Sequence, residues 1–407
     1  MMLQENLEIR GAKTQYEINE AIQLMASISR QDFFVANDWL INIGAKYPNF
    51  LNEHIRIALY NGKVISALRI TTDIIRIGEA RLKIGGIGWV STDGHFRNKG
   101  IASKVIQNAV QYMKVNSYHL SMLFGIPNFY HRFGFATTLP EYYVSITTRE
   151  VLSIQPIPHK VRKMKPGDIS SIRKIHDEND EDIACSLIRT QAHFAVKWRE
   201  WEQGKTVLDL NGKILGYFLP RINHDNILLV QEIGSIDVEA SKAVLYAIGK
   251  LAEKERLGII QIASPPCHPT TRLLINHYSV HETHYKRNEG GMMAIINEEE
   301  TLECMIPEWE KRIQQKTFIH QDDEVTLLIS GVPYCIHFRK GSISIIKKSG
   351  KNKVSMDKSE FVQLLAGYTY ISDILERKRF SISTDARNFL FTVFPKRFPY
   401  VWQMDRF

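Results

Sequence analysis

Cysteine is scarce in this chain. Cys185, Cys267, Cys304 and Cys335 are the four among 407 residues. No two stand at the CxxC spacing of a redox or zinc clip, and their spacing is not that of a disulfide framework, so reduced thiols are expected. Long apolar runs are missing as well: nowhere do about 18 uncharged apolar residues follow one another, which excludes a membrane-spanning helix from the expectation. The opening MMLQENLEIRGAKTQYEINEAI has no apolar stretch behind a basic start, so a cytoplasmic location is expected. Two phosphate-binding signatures are also absent, the eight-residue Gly-Lys-Ser/Thr loop and the glycine triplet of a dinucleotide fold.

What is present describes a folding, soluble-type chain. Hydrophobic residues make up 44% and charged residues 24%, a globular balance rather than a disordered one. The length calls for two or three domains. The net charge of +8 attracts nucleic acid, anionic membrane and anionic cofactors through the same field and does not choose among them. The basic surplus continues after residue 300, with 17 Lys and Arg against 12 Asp and Glu, and with Lys347, Lys348, Lys351 and Lys353 clustered.

The first region alternates helix and strand signals. A helix is predicted near Ile18 to Ser29, and strands at His54 to Tyr60, Val64 to Thr71 and Leu82 to Thr92, with Asn61-Gly62 marking a hairpin turn. Ile101, Val105, Ala109 and Met113 recur every four residues, as on the buried face of a helix. The tripeptide Asn61-Gly62-Lys63 returns as Asn211-Gly212-Lys213, and ALYNGKVISALRI is answered by LDLNGKILGYFLPRI. Each copy is followed by a strand, a helix and an apolar strand, which predicts an internal repeat of one α/β unit. IQPIPHKVRKMKPGD interrupts the pattern with three prolines, and the acidic INEEETLECMIPEWEKR marks a second change. Three domains are expected, at 1–152, 153–296 and 297–407. The last has strands predicted at Glu324 to Ile329, Tyr334 to Arg339 and Ser342 to Lys347, and a helix at Lys358 to Leu365.

The stretch richest in chemistry is IGGIGWVSTDGHFRNKGIASKVIQNAVQYM. A strand ends near Thr92, a loop carries Arg97, Asn98, Lys99, Gly100, Ile101 and Ala102, and a helix begins at once. Free N–H groups and the positive dipole end at such a helix start form an anion site. Gly100 and Ala102 let a phosphate approach the chain, and Arg97 and Lys99 supply counter-charge. Downstream, SMLFGIPNFYHRFGF sets Tyr130 before an aromatic-Gly-aromatic turn. Acyl transfer from a thioester to an amine needs an oxyanion donor and an acid for the leaving thiolate, and Tyr130 is a candidate for that acid.

The strand, the Arg-x-x-Gly-x-Ala loop, the helix and the downstream tyrosine resemble the GNAT acetyltransferase superfamily. The resemblance implies acetyl-CoA as co-substrate, a Val90 backbone amide that polarises the thioester, and Val90 and Thr92 pairing with the pantetheine arm. The three-part layout resembles the Eis (enhanced intracellular survival) acetyltransferase family over essentially the whole chain. It implies an α/β (α+β) fold with tandem GNAT-like domains, the second degenerate, and a sterol-carrier-protein-like C-terminal domain. It also implies a hexamer, and a free C-terminal carboxylate acting as base, here that of Phe407 at the end of FPYVWQMDRF. In the superfamily the acceptor pocket lies near the first helices, where QDFFVANDWL offers Phe33, Phe34 and Trp39 beside Asp32 and Asp38. The acceptor is expected to be a primary amine of aminoglycoside, polyamine or lysine type.

The second copy departs from the motif. IGSIDVEASKAV has no glycine at the helix start and puts Asp237 and Glu239 where phosphates would lie, so coenzyme binding is expected to be lost there. His277, His281 and His284, with Cys267 and His268, could suggest metal ligands, but no Cys pair matches them and SVHETHYK reads as turn and strand, so no metal is expected. The basic C-terminal region has no nucleic-acid reader motif, and neither nucleic acid nor membrane is expected as a partner. The competing class is a lipid or small-molecule carrier with a non-catalytic acyl-CoA module.

Overall fold

In a computed structural model, residues 6–29, 32–316 and 323–407 are described. The strands in chain order are β1 Leu7–Gly11, β2 Ile55–Tyr60, β3 Lys63–Ile77, β4 Ala80–Thr92, β5 Leu120–Gly125 and β6 Ala136–Leu139. They continue as β7 Glu141–Thr147, β8 Lys160–Lys163, β9 Lys205–Leu208, β10 Ile214–Ile222, β11 Leu228–Ser235, β12 Ile259–Ile262 and β13 Ser279–His284. The last are β14 Gly290–Ile295, β15 Asp323–Ile329, β16 Val332–Arg339, β17 Ser342–Ile346 and β18 Lys353–Met356. Interleaved helices make this a mixed α/β chain. Among the described residues no helix is long and apolar enough to cross a membrane.

The chain divides into two compact units. The first holds residues 1–138, 287–397 and 407, and the second holds 139–286 and 398–406. In the first unit a seven-stranded sheet runs β1-β2-β3-β4-β5-β14-β6, and a four-stranded sheet runs β17-β16-β15-β18. The second unit's seven-stranded sheet runs β13-β7-β12-β11-β10-β9-β8. Two strands thus sit away from their sequence neighbours. β7 follows β6 but pairs with β12 and β13, whereas β14 returns to pair antiparallel with β5, from Gly290 opposite Gly125 to Ile295 opposite Leu120.

Local chemistry explains most elements. The first helix, Gln15–Ile28, is opened by a capping box in which Thr14 accepts from the Glu17 amide. The β2–β3 hairpin turns at Asn61 (φ 50°) and Gly62 (φ 77°), the left-handed pair that a two-residue turn demands. The repeated Asn211-Gly212-Lys213 makes a different turn. Asp209 Oδ1 accepts from the amides of both Asn211 and Lys213 at 2.9 Å, and this Asx anchor opens a longer loop from Asp209 to Lys213 between β9 and β10. The helix Ile101–Val115 buries Ile101, Val105, Ile106, Ala109 and Met113 against the first sheet, each larger side chain contributing about 1.5–3 kcal/mol. Gly85 on β4 allows that packing, since a methyl there would lie 2.1 Å from Met113 Sδ.

Candidate active site

The site is built on β4. Gly85, Gly86 and Gly88 weaken this strand as a ladder element, and glycine inside a strand marks a bulge or a close approach. Both occur. β3 and β4 stay in register as far as Arg69 opposite Gly88, then shift so that Ala67 lies opposite Ser91. Trp89 takes up the extra residue at φ 57°, an unusual conformation for a bulky side chain. On its other side β4 pairs with parallel β5 only at Ile84, Gly85 and Gly86. Beyond Gly86 the two strands carry on to Thr92 and Gly125 without pairing. The edges that the two strands turn to each other there have no strand partner among the described residues, and Val90 and Thr92, both half-buried, lie on that stretch of β4.

The helix start behind β4 is open. Gly100 is the N-cap of the Ile101–Val115 helix at φ 74°, with no side-chain cap and no acidic residue in the first turn. A methyl at Gly100 would meet nothing within 4 Å, so the glycine is required for its left-handed backbone rather than for space. Asn98 is left-handed too, at φ 60°. Arg97 Nε donates to the Thr92 carbonyl at 3.2 Å, and Lys99 Nζ lies 5.2 Å from the Phe96 ring centre. Arg97, Asn98, Lys99 and Gly100 are exposed, Ile101 is buried and Ala102 is half-buried. Free N–H groups, a positive dipole end and two cations give this helix start the chemistry that suits an anion.

Tyr130 opens a short 3-10 turn at Tyr130–Phe133. Its ring packs on Gly125 at the end of β5, where a methyl would come within 2.5 Å of the ring, and it meets Phe129 edge-on at 4.9 Å. Burial pushes its phenol up to about 12, because the ionised form loses its hydration. The phenol is therefore neutral throughout the physiological range.

Phe407 belongs to the first unit. Its ring covers Gly86, where a methyl would come within 2.5 Å of three ring carbons, and its backbone carbonyl carbon would lie 2.9 Å from a methyl at Gly88. The Phe124 ring of β5 is 6.3 Å away. Phe407 thus stands against the glycines of β4 where β4 and β5 part. Trp39 stacks on Trp89 at 5.3 Å, which brings it to the bulge. Phe33 and Phe34 stand together at 5.5 Å at the start of the Phe33–Asn42 helix, and Phe34 is 78% exposed. Asp32 caps that helix through the Phe34 and Val35 amides and Asp38 accepts from Asn42, so each has local work.

Several residues of this region went unread in the sequence. Gly86 and Gly88 were signalled by the Gly-Gly-Ile-Gly run inside a strand. Arg69, directly opposite Gly88, is 2% exposed. It donates to Thr71 Oγ1 at 2.9 Å and the Gly44 carbonyl at 3.0 Å and lies over the rings of Trp39 and Tyr47. Burial lowers its guanidinium to about 10. An arginine within a mainly apolar strand carries no sequence mark of such a cage.

The histidines weighed as metal ligands are dispersed. His277 lies 3.4 Å from Glu150, His281 meets Ser279, His284 approaches Glu282, and buried His268 caps the Pro269–Leu274 helix.

Residues 40–138 match the acetyltransferase (GNAT) domain family. No curated protein matches the sequence at a significant level. Among solved structures, the chain is similar to a probable N-acyltransferase from Enterococcus faecalis V583, with a TM-score of 0.75, 15% identity, and 98% of this chain and 100% of that one covered. A GCN5-related N-acetyltransferase from Anabaena variabilis gives 0.73 at 16% identity, again covering 98% and 100%. Eis1 from Mycobacterium abscessus gives 0.65 at 13% identity over the same shares. These likenesses establish the fold along the chain. The GNAT domain makes the chain an acyltransferase, and its co-substrate an acyl-CoA.

Proposed function

We propose that this chain transfers acetyl from acetyl-CoA to a primary amine by direct attack within a ternary complex, in the manner of the Eis family. The observation that carries the reading is the end of β4 that has parted from β5, flanked by an open helix start at Gly100 and met by the carboxyl of Phe407 at Gly88. In this reading Arg97, Asn98, Lys99, Gly100, Ile101 and Ala102 bind the pyrophosphate. The Val90 amide donates to the thioester oxygen as it becomes an oxyanion, and Val90 and Thr92 pair with the pantetheine arm. The Phe407 carboxylate accepts the proton of the attacking amine, directly or through water. The tetrahedral adduct then collapses, the carbon–sulfur bond breaks, and Tyr130 gives its proton to the departing thiolate.

Trp39 at the bulge supports an acceptor pocket on that side, with Phe33 and Phe34 at its outer edge. The acceptor class is an amine of aminoglycoside, polyamine or lysine type. Family resemblance further supports three domains at 1–152, 153–296 and 297–407, a sterol-carrier-like fold for the last, a hexameric assembly and a cytoplasmic setting.

The test is thiol release from acetyl-CoA against a panel of polyamines, aminoglycosides and lysine peptides, comparing the intact chain, Tyr130→Phe and a chain lacking Phe407. Loss of a general acid or base typically costs about 10²–10⁴-fold. Both variants should lose at least about 100-fold in kcat while binding acetyl-CoA normally. Tight coenzyme binding without turnover on any amine would refute the enzyme reading and favour a carrier.

A further inference from the structure

We infer that Glu324, Cys335 and His337 form a binding site for a divalent transition-metal ion of the zinc class, in the four-stranded sheet and separate from the acyl-transfer site. Glu324 lies directly opposite His337, and Thr326 directly opposite Cys335, on the antiparallel strands β15 and β16. Alternate residues of a strand share a face, so all four side chains meet on one side of the sheet. Carboxylate, thiol and imidazole are the three ligand types that zinc takes in proteins. Here one donor atom from each lies within 4.8 Å of the others.

The separation of Cys335 and His337 fits a shared ion. His337 Nε2 lies 3.5 Å from Cys335 Sγ, and around a tetrahedral zinc with bonds of about 2.1 Å to nitrogen and 2.3 Å to sulfur the two donors stand about 3.5 Å apart. His337 Nδ1, the other ring nitrogen, lies 3.2 Å from Glu324 Oε2, so with Nε2 on the ion Glu324 orients the imidazole as it stands and becomes a ligand only by swinging its carboxylate to the Nε2 side. Thiolate and carboxylate together bring two negative charges to a divalent ion.

The cluster is also roofed. The loop between β17 and β18 is tied down by the Gly350 amide donating to Thr326 Oγ1 at 2.8 Å and the Lys351 amide donating to Glu324 Oε1 at 2.6 Å. A methyl at Gly350 would lie 2.5 Å from Glu324 Oε1 and 2.6 Å from Cys335 Sγ, so glycine lets the backbone close directly over the donors. Cys335 is buried, while the His337 side chain is 40% exposed, which leaves an entry path and a fourth position for water. Cysteine and histidine two apart on a strand make no familiar metal motif. Glu324, eleven residues upstream of Cys335, joins them only through strand pairing.

The experiment is titration of the full, chelator-stripped chain with cobalt(II), followed by displacement with zinc(II). The expected result is one cobalt per chain with a near-ultraviolet thiolate-to-metal band, lost on adding equimolar zinc. Cys335→Ser should abolish the band, and His337→Gln should weaken zinc binding by at least about 10-fold, with acetyl transfer unchanged in both. Circular dichroism and thermal melts of each variant verify folding. If Cys335→Ser does not fold, folded His337→Gln decides alone: retained wild-type affinity overturns the site. Absence of a thiolate band at saturating cobalt, or a band that survives Cys335→Ser and so belongs to another cysteine, overturns it as well.

Discussion

Substituting Gly88 with alanine tests the role of Phe407 without touching Phe407. The added methyl would lie 2.9 Å from the backbone carbonyl carbon of Phe407, and carbon atoms rest at about 3.5–4.0 Å. The carboxyl must therefore withdraw by about 0.6–1.1 Å. A misplacement near 1 Å of a reacting group costs on the order of 10²-fold in rate. Gly88 is not among the residues with positive φ, so the strand backbone itself accepts alanine and the cost falls on the displaced Phe407 main chain. Gly88→Ala should lower kcat about 100-fold in a chain that still folds cooperatively, with little change in acetyl-CoA affinity. A double variant lacking Phe407 as well should be no slower than the deletion alone, because both changes remove the same interaction. Full activity in Gly88→Ala refutes the placement of the base. Losses that multiply in the double variant show that the methyl blocks substrate instead.

The anion site predicts that Gly100→Ala, which forces a side chain into a left-handed backbone at a cost of about 1 kcal/mol, raises the KM for acetyl-CoA several-fold and leaves kcat nearly intact; equal coenzyme affinity by calorimetry would contradict it. Burial holds the Tyr130 phenol near 12, above the usual value near 10. Its proton is thus kept where an ordinary tyrosine would lose it, and no alkaline fall in kcat below about pH 10 should trace to it. A limb near pH 8 that vanishes in Tyr130→Phe would contradict this. For stability the sign is opposite: the unfolded chain ionises first, so the contribution of this burial declines as pH rises through 10 towards 12. In the second unit, Arg189 is buried between Glu232 and Asp405 with contacts at 2.7 Å, and Arg189→Ala should cost about 3–5 kcal/mol by urea unfolding because two carboxylates lose their partner; a loss below about 1 kcal/mol would show that water reaches them.

Local signals explain what could be read in advance. The helix face of Ile101, Val105, Ala109 and Met113 is buried as its period predicts, and the predicted strands of the 297–407 region lie within a residue or two of β15, β16 and β17. Asn61-Gly62 made its turn because nothing nearby competed, whereas Asp209 diverted the same tripeptide. The crossing of β7 and β14 between sheets was illegible: both strands are of ordinary length, and the alternation of β7 or the apolar run of β14 marks a strand without marking the distant strand that it pairs with. Site residues divide the same way. Gly100 and Tyr130 lie in contiguous motifs, while Arg69, Trp89 and Gly88 acquire meaning only through the register of β3 on β4.

The repeat also shows how one copy of a unit closes what the other leaves open. In the second unit β11 pairs in parallel with β12 from Leu228 opposite Ile260 to Val230 opposite Ile262 and then continues to Ser235 paired with β10 alone, as β4 continues beyond Gly86 paired with β3 alone. Its helix, Val238–Lys254, begins at Asp237, whose carboxylate accepts from the Ala240 amide at 2.7 Å. The N–H groups that would meet a phosphate therefore face a resident anion. The space beside β11 is taken by the chain's own residues 400–405. Tyr400 donates to the Ala263 carbonyl, Gln403 meets Gln231, and Asp405 joins Glu232 on Arg189. Trp402 donates to Asp180 at 2.9 Å. A coenzyme would have to displace a buried aromatic pair and a buried ion cluster to enter. Removing the Asp237 carboxylate alone, as Asp237→Ala, should cost about 1 kcal/mol of stability and confer no acetyl-CoA binding on the second unit; a second coenzyme equivalent in calorimetry would show that charge, and not the filled space, had closed it.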